Sequence, residues 1–180
     1  MTKALADVIR TRSYRRGKFK LASGAESEFY FNLKPTMMSP QGAFLCGQAL
    51  LGKIWPESVD YVGGLEMGAV PAIACIAALS HEYGRPVNTF FVRKKAKDHG
   101  TQDVVEGLLT GESLAGKKVM IVDDVATSGG SILKAAEAAR AAGAIVESAL
   151  VIVDREEGGA EALAEAGIRL LSVLKKSDFI

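Results

Sequence analysis

The stretch VMIVDDVATSGGSI, residues 119–132, decides how this chain folds. Lys118–Val122 reads as a largely apolar strand that runs straight into two carboxylates, Asp123 and Asp124. Thr127, Ser128, Gly129, Gly130 and Ser131 then form a loop, and a helix follows to about Ala142, with Gly143 as its stop signal. A strand built on a continuous apolar run such as Val119–Val122 is typical of a sheet covered by helices on both faces, and such sheets bind ligands beyond the carboxyl ends of their strands. Hydroxyls, backbone N–H groups and the positive end of a helix suit a phosphate monoester there, and the glycines let backbone approach it without a Cβ in between. Like charges would repel between phosphate and the two aspartates. These fit sugar hydroxyls and a nearby hydrated cation such as Mg²⁺ instead. The segment therefore asks for a phosphorylated sugar, against the plainer alternative that the acid pair only caps a strand–helix turn. It contains neither the Gly-Lys-Ser/Thr of a P-loop nor the G-x-G-x-x-G of a dinucleotide fold.

Outward from this stretch the pattern alternates. Tyr61–Leu65, Asn88–Val92, Ile145–Val153 and Ile168–Val173 read as further strands. Helices are predicted from near Pro71 over AIACIAALSHEYG and near Ala160–Glu165. Before Asp60 the reading differs. Leu5, Val8 and Ile9 stand at helical spacing behind Thr2 as an N-cap. Phe19–Ala22 and Glu28–Leu33 read as strands joined across Ser23–Ser27, and Ser39-Pro40 opens a helix through about Trp55, stopped by Pro56. The fold class expected is α/β: a doubly wound parallel sheet with a small N-terminal hood. The chain reads as one domain, with the hood at about 1–35 and the core at about 36–180.

Composition narrows the function classes. At 48% hydrophobic residues the 180-residue chain can bury a core, and a net charge of +1 gives no global attraction to nucleic acid or membrane. Any anion site must come from local placement. Cys46 and Cys75 read as buried thiols in a reducing compartment rather than a disulfide or metal pair. MTKALADVIR carries charge where a signal peptide needs an apolar run, and no apolar stretch approaches the about 20 residues of a membrane span. A soluble cytoplasmic protein is expected.

The polar stretch RKKAKDHGTQDVVEG, residues 93–107, gathers Arg93, Lys94, Lys95, Lys97 and His99. A solvated surface loop is the bland reading. A nucleic-acid patch is a second one, although interleaved aromatics are absent. A third is a cationic lid. Pyrophosphate leaving an anomeric carbon develops charge that cations stabilise, and a closed lid keeps water from an oxocarbenium-like sugar. Lysine suits a moving lid, the Arg93 fork suits phosphate, and His99 could pass a proton to the departing group.

On these residues the sequence resembles the type I phosphoribosyltransferases, whose phosphoribosyl pyrophosphate motif is similar to residues 119–132. The loop narrows the resemblance to the orotate phosphoribosyltransferases, whose Arg-Lys-x-x-Lys-Asp-His-Gly signature stands here as Arg93, Lys94, Lys97, Asp98, His99 and Gly100. That resemblance implies transfer of phosphoribosyl from its pyrophosphate to orotate, with Mg²⁺ as cofactor and a homodimer that shares its active sites. Lys97, His99 and Asp124 are the implied catalytic residues. Arg93, Lys94, Lys97, His99, Asp123, Asp124, Val125, Ala126, Thr127, Ser128, Gly129, Gly130 and Ser131 are implied to bind phosphoribosyl pyrophosphate. Arg93, Lys97 and His99 would serve the partner subunit and Lys94 its own site. Direct metal ligation by a side chain is not implied.

Asp154-Arg155 follows another apolar strand. A structural salt bridge is the plain reading; the resemblance makes Arg155 the anchor of the orotate carboxylate and Thr127 a second orotate contact. Ser23-Gly24-Ala25-Glu26-Ser27-Glu28-Phe29 matches the family's hood stretch over the substrate, with Glu26 where many members carry lysine. Phe29 and Tyr30 are core candidates, one of which would cover the pyrimidine. GGLEMGAVP, residues 63–71, corresponds to the pyrophosphate loop, with Gly68 near where some members place lysine. The chain is shorter than the about 250 residues of the decarboxylase barrel fused in some organisms. Two rivals stay open at this level: a phosphoribosyltransferase for another base, and a regulator that keeps the fold to sense phosphoribosyl pyrophosphate while binding nucleic acid.

Overall fold

The structure is a computed structural model that describes residues 2–20, 26–95 and 104–180. Helix α1 (Thr2–Arg12) buries Leu5, Ala6 and Ile9, and Thr2 is its first described residue rather than a cap ahead of it. Strands β1 (Tyr14–Lys20) and β2 (Glu26–Phe31) pair antiparallel, Tyr14 against Phe31, with a register shift between Arg16 and Phe19. The first strand thus begins well before the expected Phe19, because Arg15, Arg16 and Lys18 hide its period in charge. Helix α2 (Lys34–Met37), a single turn without a readable period, follows. In α3 (Pro40–Ile54) the Ser39 hydroxyl accepts the Gly42 N–H at 3.2 Å, the cap that the Ser-Pro pair predicts.

The rest is a wound sheet. Its elements are β3 (Tyr61–Leu65), α4 (Ala69–Glu82), β4 (Asn88–Val92), β5 (Val105–Glu106), β6 (Lys118–Ala126), α5 (Gly130–Ala141), β7 (Ile145–Asp154), α6 (Gly159–Glu165) and β8 (Arg169–Lys175). The strands lie in the order β5-β4-β3-β6-β7-β8. All neighbours are parallel except the two-residue edge strand β5, which runs antiparallel to β4 and has no sequence signal of its own.

Both faces of the sheet are packed, as the continuous apolar runs require. Met120, Val122, Leu150 and Ile152 face one cluster, with Leu50, Leu51 and Ile76 of α3 and α4. Val119, Ile121, Ala149 and Val151 face the other, with Ile132, Ala135 and Ala139 of α5. From β3 the chain winds outward to β4, and from β6 it winds the opposite way to β7 and β8. The reversal leaves a crevice between the carboxyl ends of β3 and β6, the position where open α/β sheets take ligands. Among the described residues no helix is long and apolar enough to cross a membrane.

Candidate active site

Strand β6 continues past Val122 through Asp123, Asp124, Val125 and Ala126, so the acid pair lies on the strand itself rather than in a loop. Asp123 is 4% exposed. Its Oδ2 accepts the Ser131 hydroxyl at 2.5 Å and its Oδ1 the Asp124 N–H at 2.9 Å. Asp124 Oδ1 in turn accepts the Val125 N–H at 2.9 Å. Burial pushes the Asp123 carboxyl above its ordinary range. Burial, and then the neighbouring charge of Asp123, pushes Asp124 up to about 7. The positive charge of Lys34 at the start of α2 pulls both back down. Sequence reading missed Lys34, because an exposed lysine carries no signal until the hood brings it near the crevice.

The loop after β6 meets the loop after β7. Gly129 holds φ +78° directly ahead of α5, and its carbonyl accepts the Leu133 N–H at 2.9 Å. The first N–H groups of α5 have no earlier helical carbonyl to bond and point out of the helix end beside exposed Ser128. A Cβ on Gly159 would stand 2.7 Å from the Thr127 carbonyl oxygen, so glycine there permits the two loops to touch. The Arg155 N–H bonds the Ala126 carbonyl at 2.9 Å, which sets Arg155 beside the proposed phosphate loop.

Arg155 is itself buried, at 4% exposure. Its Nη2 lies 3.1 Å from Glu157 Oε1, an ion pair with the residue two places on, while Asp154 Oδ1 accepts the Glu156 N–H at 2.9 Å. The Lys176 ammonium, 3.8 Å from the same Glu157 oxygen, lies 5.5 Å from the centre of the Phe29 ring. Tyr30 is exposed at the other side of the hairpin and stacks on Phe19 at 5.5 Å between ring centres. Of the two aromatics, Phe29 is the one tied to the Arg155 region.

The third wall is the loop between β3 and α4. Gly68 precedes α4 and lies against both carboxylates. Glu66 Oε1 accepts the Lys94 N–H at 2.8 Å, which joins this loop to the start of the basic stretch. Arg93 turns toward Glu106, Nη1 to Oε1 3.5 Å, and its Nε donates to the Lys95 carbonyl at 3.3 Å. Lys94 is exposed. Lys97, Asp98, His99 and Gly100 lie outside the described residues, and so do Ser23 and Gly24. Cys46 and Cys75 are both free; burial pushes the Cys46 thiol up to about 12, far from a nucleophilic thiolate.

A phosphoribosyl transferase domain model matches residues 47–166. An orotate phosphoribosyltransferase of Rhodopseudomonas palustris (strain TIE-1) is 55% identical over 98% of this chain and 94% of its own length. Among solved structures, the orotate phosphoribosyltransferase of Mycobacterium tuberculosis H37Rv in complex with Fe(III) dicitrate superposes with a TM-score of 0.84 at 34% identity, covering 98% of this chain and 97% of that one. The same enzyme in complex with 5-phospho-alpha-D-ribosyl 1-diphosphate superposes with a TM-score of 0.80 at 32% identity, covering 98% of this chain and 97% of that one. With an acid pair, a glycine-rich helix entrance and a buried arginine meeting at the sheet's switch point, the chain belongs to the orotate phosphoribosyltransferases of the type I phosphoribosyltransferase family.

Proposed function

We propose that the protein converts orotate and 5-phospho-α-D-ribose 1-diphosphate to orotidine 5′-phosphate and diphosphate, in pyrimidine (UMP) biosynthesis. The observation that carries the substrate choice is the contact between loops: Arg155 is bonded through its own amide to Ala126, beside the Thr127–Ser131 turn. An anchor for a carboxylate and a cradle for a phosphate are thereby held a fixed distance apart.

In this reading the Thr127–Ser131 turn and the entrance of α5 hold the 5-phosphate, and Asp123 and Asp124 orient the ribose hydroxyls. Arg155 holds the carboxylate of orotate, with Thr127 as second contact. A ring nitrogen of orotate gives up its proton and forms the new bond to the anomeric carbon, while the old bond's electron pair leaves with pyrophosphate, which takes up a proton. Arg93, Lys94, Lys97 and His99 neutralise that charge. Orientation and leaving-group electrostatics supply the rate, and no protein nucleophile is required.

The acid pair suits a hydrated divalent cation, whose charge would relieve one buried and one half-buried carboxyl held above their ordinary range. When bound, Mg²⁺ supplies charge neutralisation on the pyrophosphate. Among the described residues no group of three or more His, Cys, Asp and Glu could hold a metal ion, and Asp123 and Asp124 are the residues that would stand beside Mg²⁺.

The working unit is a cytoplasmic homodimer of one-domain chains, in which Arg93, Lys97 and His99 reach the partner's site. Helices α3 and α4 pack side by side and leave Phe44, Ala74, Ala78 and Tyr83 exposed, an apolar face suited to a second copy. Diphosphate release measured with orotate, uracil and purine bases tests the function. Release with orotate alone is expected. Activity only with another base would assign the fold to a different acceptor, and salt-dependent nucleic-acid binding without turnover would assign it to a regulator.

A further inference from the structure

The loop that carries Arg155 is clasped by the C-terminal turn. Glu157 Oε1, which faces Arg155 Nη2 at 3.1 Å, also lies 3.8 Å from Lys176 Nζ. Glu156, exposed and with φ +55°, turns away from Arg155 and accepts the Ser177 N–H at 3.0 Å on Oε2. Lys176 sits over Phe29 of the hood, while Phe179 packs on Tyr14 and Phe31 at 5.6 and 5.2 Å between ring centres. The turn therefore spans from the hood to the base-binding loop, and Lys176 stands where the two meet.

Charge gives this geometry a consequence. Arg155 already shares its charge with Glu157 before a substrate arrives. A second carboxylate brought to the same buried guanidinium would face the half-buried Glu157 as a like charge at close range, where screening is weaker than at an open surface. A cation on the same Glu157 oxygen removes that penalty, and Lys176 is that cation.

We propose that Lys176 is a specificity-determining residue for a carboxylate-bearing base, because it offsets Glu157 and leaves the Arg155 charge for the substrate. The proposal rests on Arg155 as the orotate anchor. It makes the cost of losing Lys176 depend on Glu157, which a merely structural lysine would not show.

The test is steady-state kinetics on four variants of the full-length protein: Lys176→Met, Glu157→Gln, the double variant and Arg155→Ala. Lys176→Met is expected to raise the KM for orotate about tenfold, with kcat and the KM for phosphoribosyl pyrophosphate little changed. Glu157→Gln is expected to lower the orotate KM, and the double variant to return it to near the starting value. If Lys176→Met proves too unstable to assay, a rise in orotate KM for Glu157→Gln alone would overturn the proposal. An unaltered orotate KM in Lys176→Met, or a double variant as impaired as Lys176→Met, would also overturn it. A wild-type orotate KM in Arg155→Ala would instead remove the anchor reading beneath it. Impairment of Arg155→Ala with Lys176→Met unaffected would leave the anchor standing and this proposal refuted.

Discussion

Gly68 approaches Asp123 so closely that a Cβ on it would stand 2.8 Å from Asp123 Oδ1 and 3.2 Å from Asp124 Oδ1. The glycine is not needed for backbone freedom, since its φ of −57° and ψ of −47° suit any residue. Space is what it supplies. Asp123 cannot easily yield, because its carboxylate is held by the Ser131 hydroxyl and the Asp124 amide.

Gly68→Ala is therefore expected to displace the acid pair without unfolding the chain. Displacements below 1 Å at a positioning group cost turnover steeply, so kcat/KM for phosphoribosyl pyrophosphate should fall about tenfold or more. The thermal midpoint should stay within a few degrees, as the helix entrance tolerates alanine. An alanine variant with full kcat/KM would show that the carboxylates have room after all.

Asp124 sets a pH dependence whose sign is fixed by burial. Its carboxyl titrates near 3.8 in an unfolded chain and is pushed up to about 7 in the folded one. The native state thus binds the proton more tightly, and stability is fully present below 3.8 and is lost as pH rises through about 7. Asp124→Asn removes the charge and keeps an acceptor for the Val125 amide. With the group only partly buried and its cost shared with Asp123, the variant should gain about 1–2 kcal/mol at pH 8 and about a third of that at pH 5. Urea unfolding without ligand or metal at the two pH values measures this; a gain equal at both would point to packing rather than ionisation.

Much of this site was legible in the sequence because strand, acid pair and glycine loop are contiguous. Residues 118–132 show their role in one line, and the parallel strands show theirs through unbroken apolar runs such as Ala149–Val153. What stayed hidden depends on contacts between distant segments. Lys34 acquires meaning only when folding brings its charge near the acid pair, and Glu157 and Lys176 meet only after β8 returns to the sheet's carboxyl edge. The Ser131 hydroxyl bonds Asp123, a partner that three-dimensional proximity sets and spacing does not show. The start of the first hood strand is hidden for a different reason: Arg15–Lys18 are all exposed, so the middle of that strand has no buried side to impose a period.

Ser131→Ala tests that hydroxyl. It removes a donor from a buried carboxylate, which costs about 1–3 kcal/mol when the acceptor is left without a replacement. Thermal unfolding at pH 8 should show the loss, together with weaker binding of phosphoribosyl pyrophosphate, since Asp123 loses its fixed orientation. Ser131→Thr keeps the hydroxyl and should recover most of both. If alanine is as stable as serine at pH 8, water has taken the place of the hydroxyl and the bond has no positioning role.

The shared-site dimer makes the last prediction. Lys97 is proposed to act in the partner's site and Asp124 in its own, so Lys97→Ala and Asp124→Asn each disable both sites of their own homodimer. A heterodimer of the two places both defects in one site and leaves the other with Asp124 and Lys97 intact. Random exchange in an equal mixture puts half the chains in heterodimers, each with one working site, so activity should return to about a quarter of the wild-type value. Subunit exchange is verified separately with a mass-tagged chain. Were Lys97 to act within its own subunit, every chain in the mixture would still carry one broken site, and activity would stay at the sum of the two variants alone.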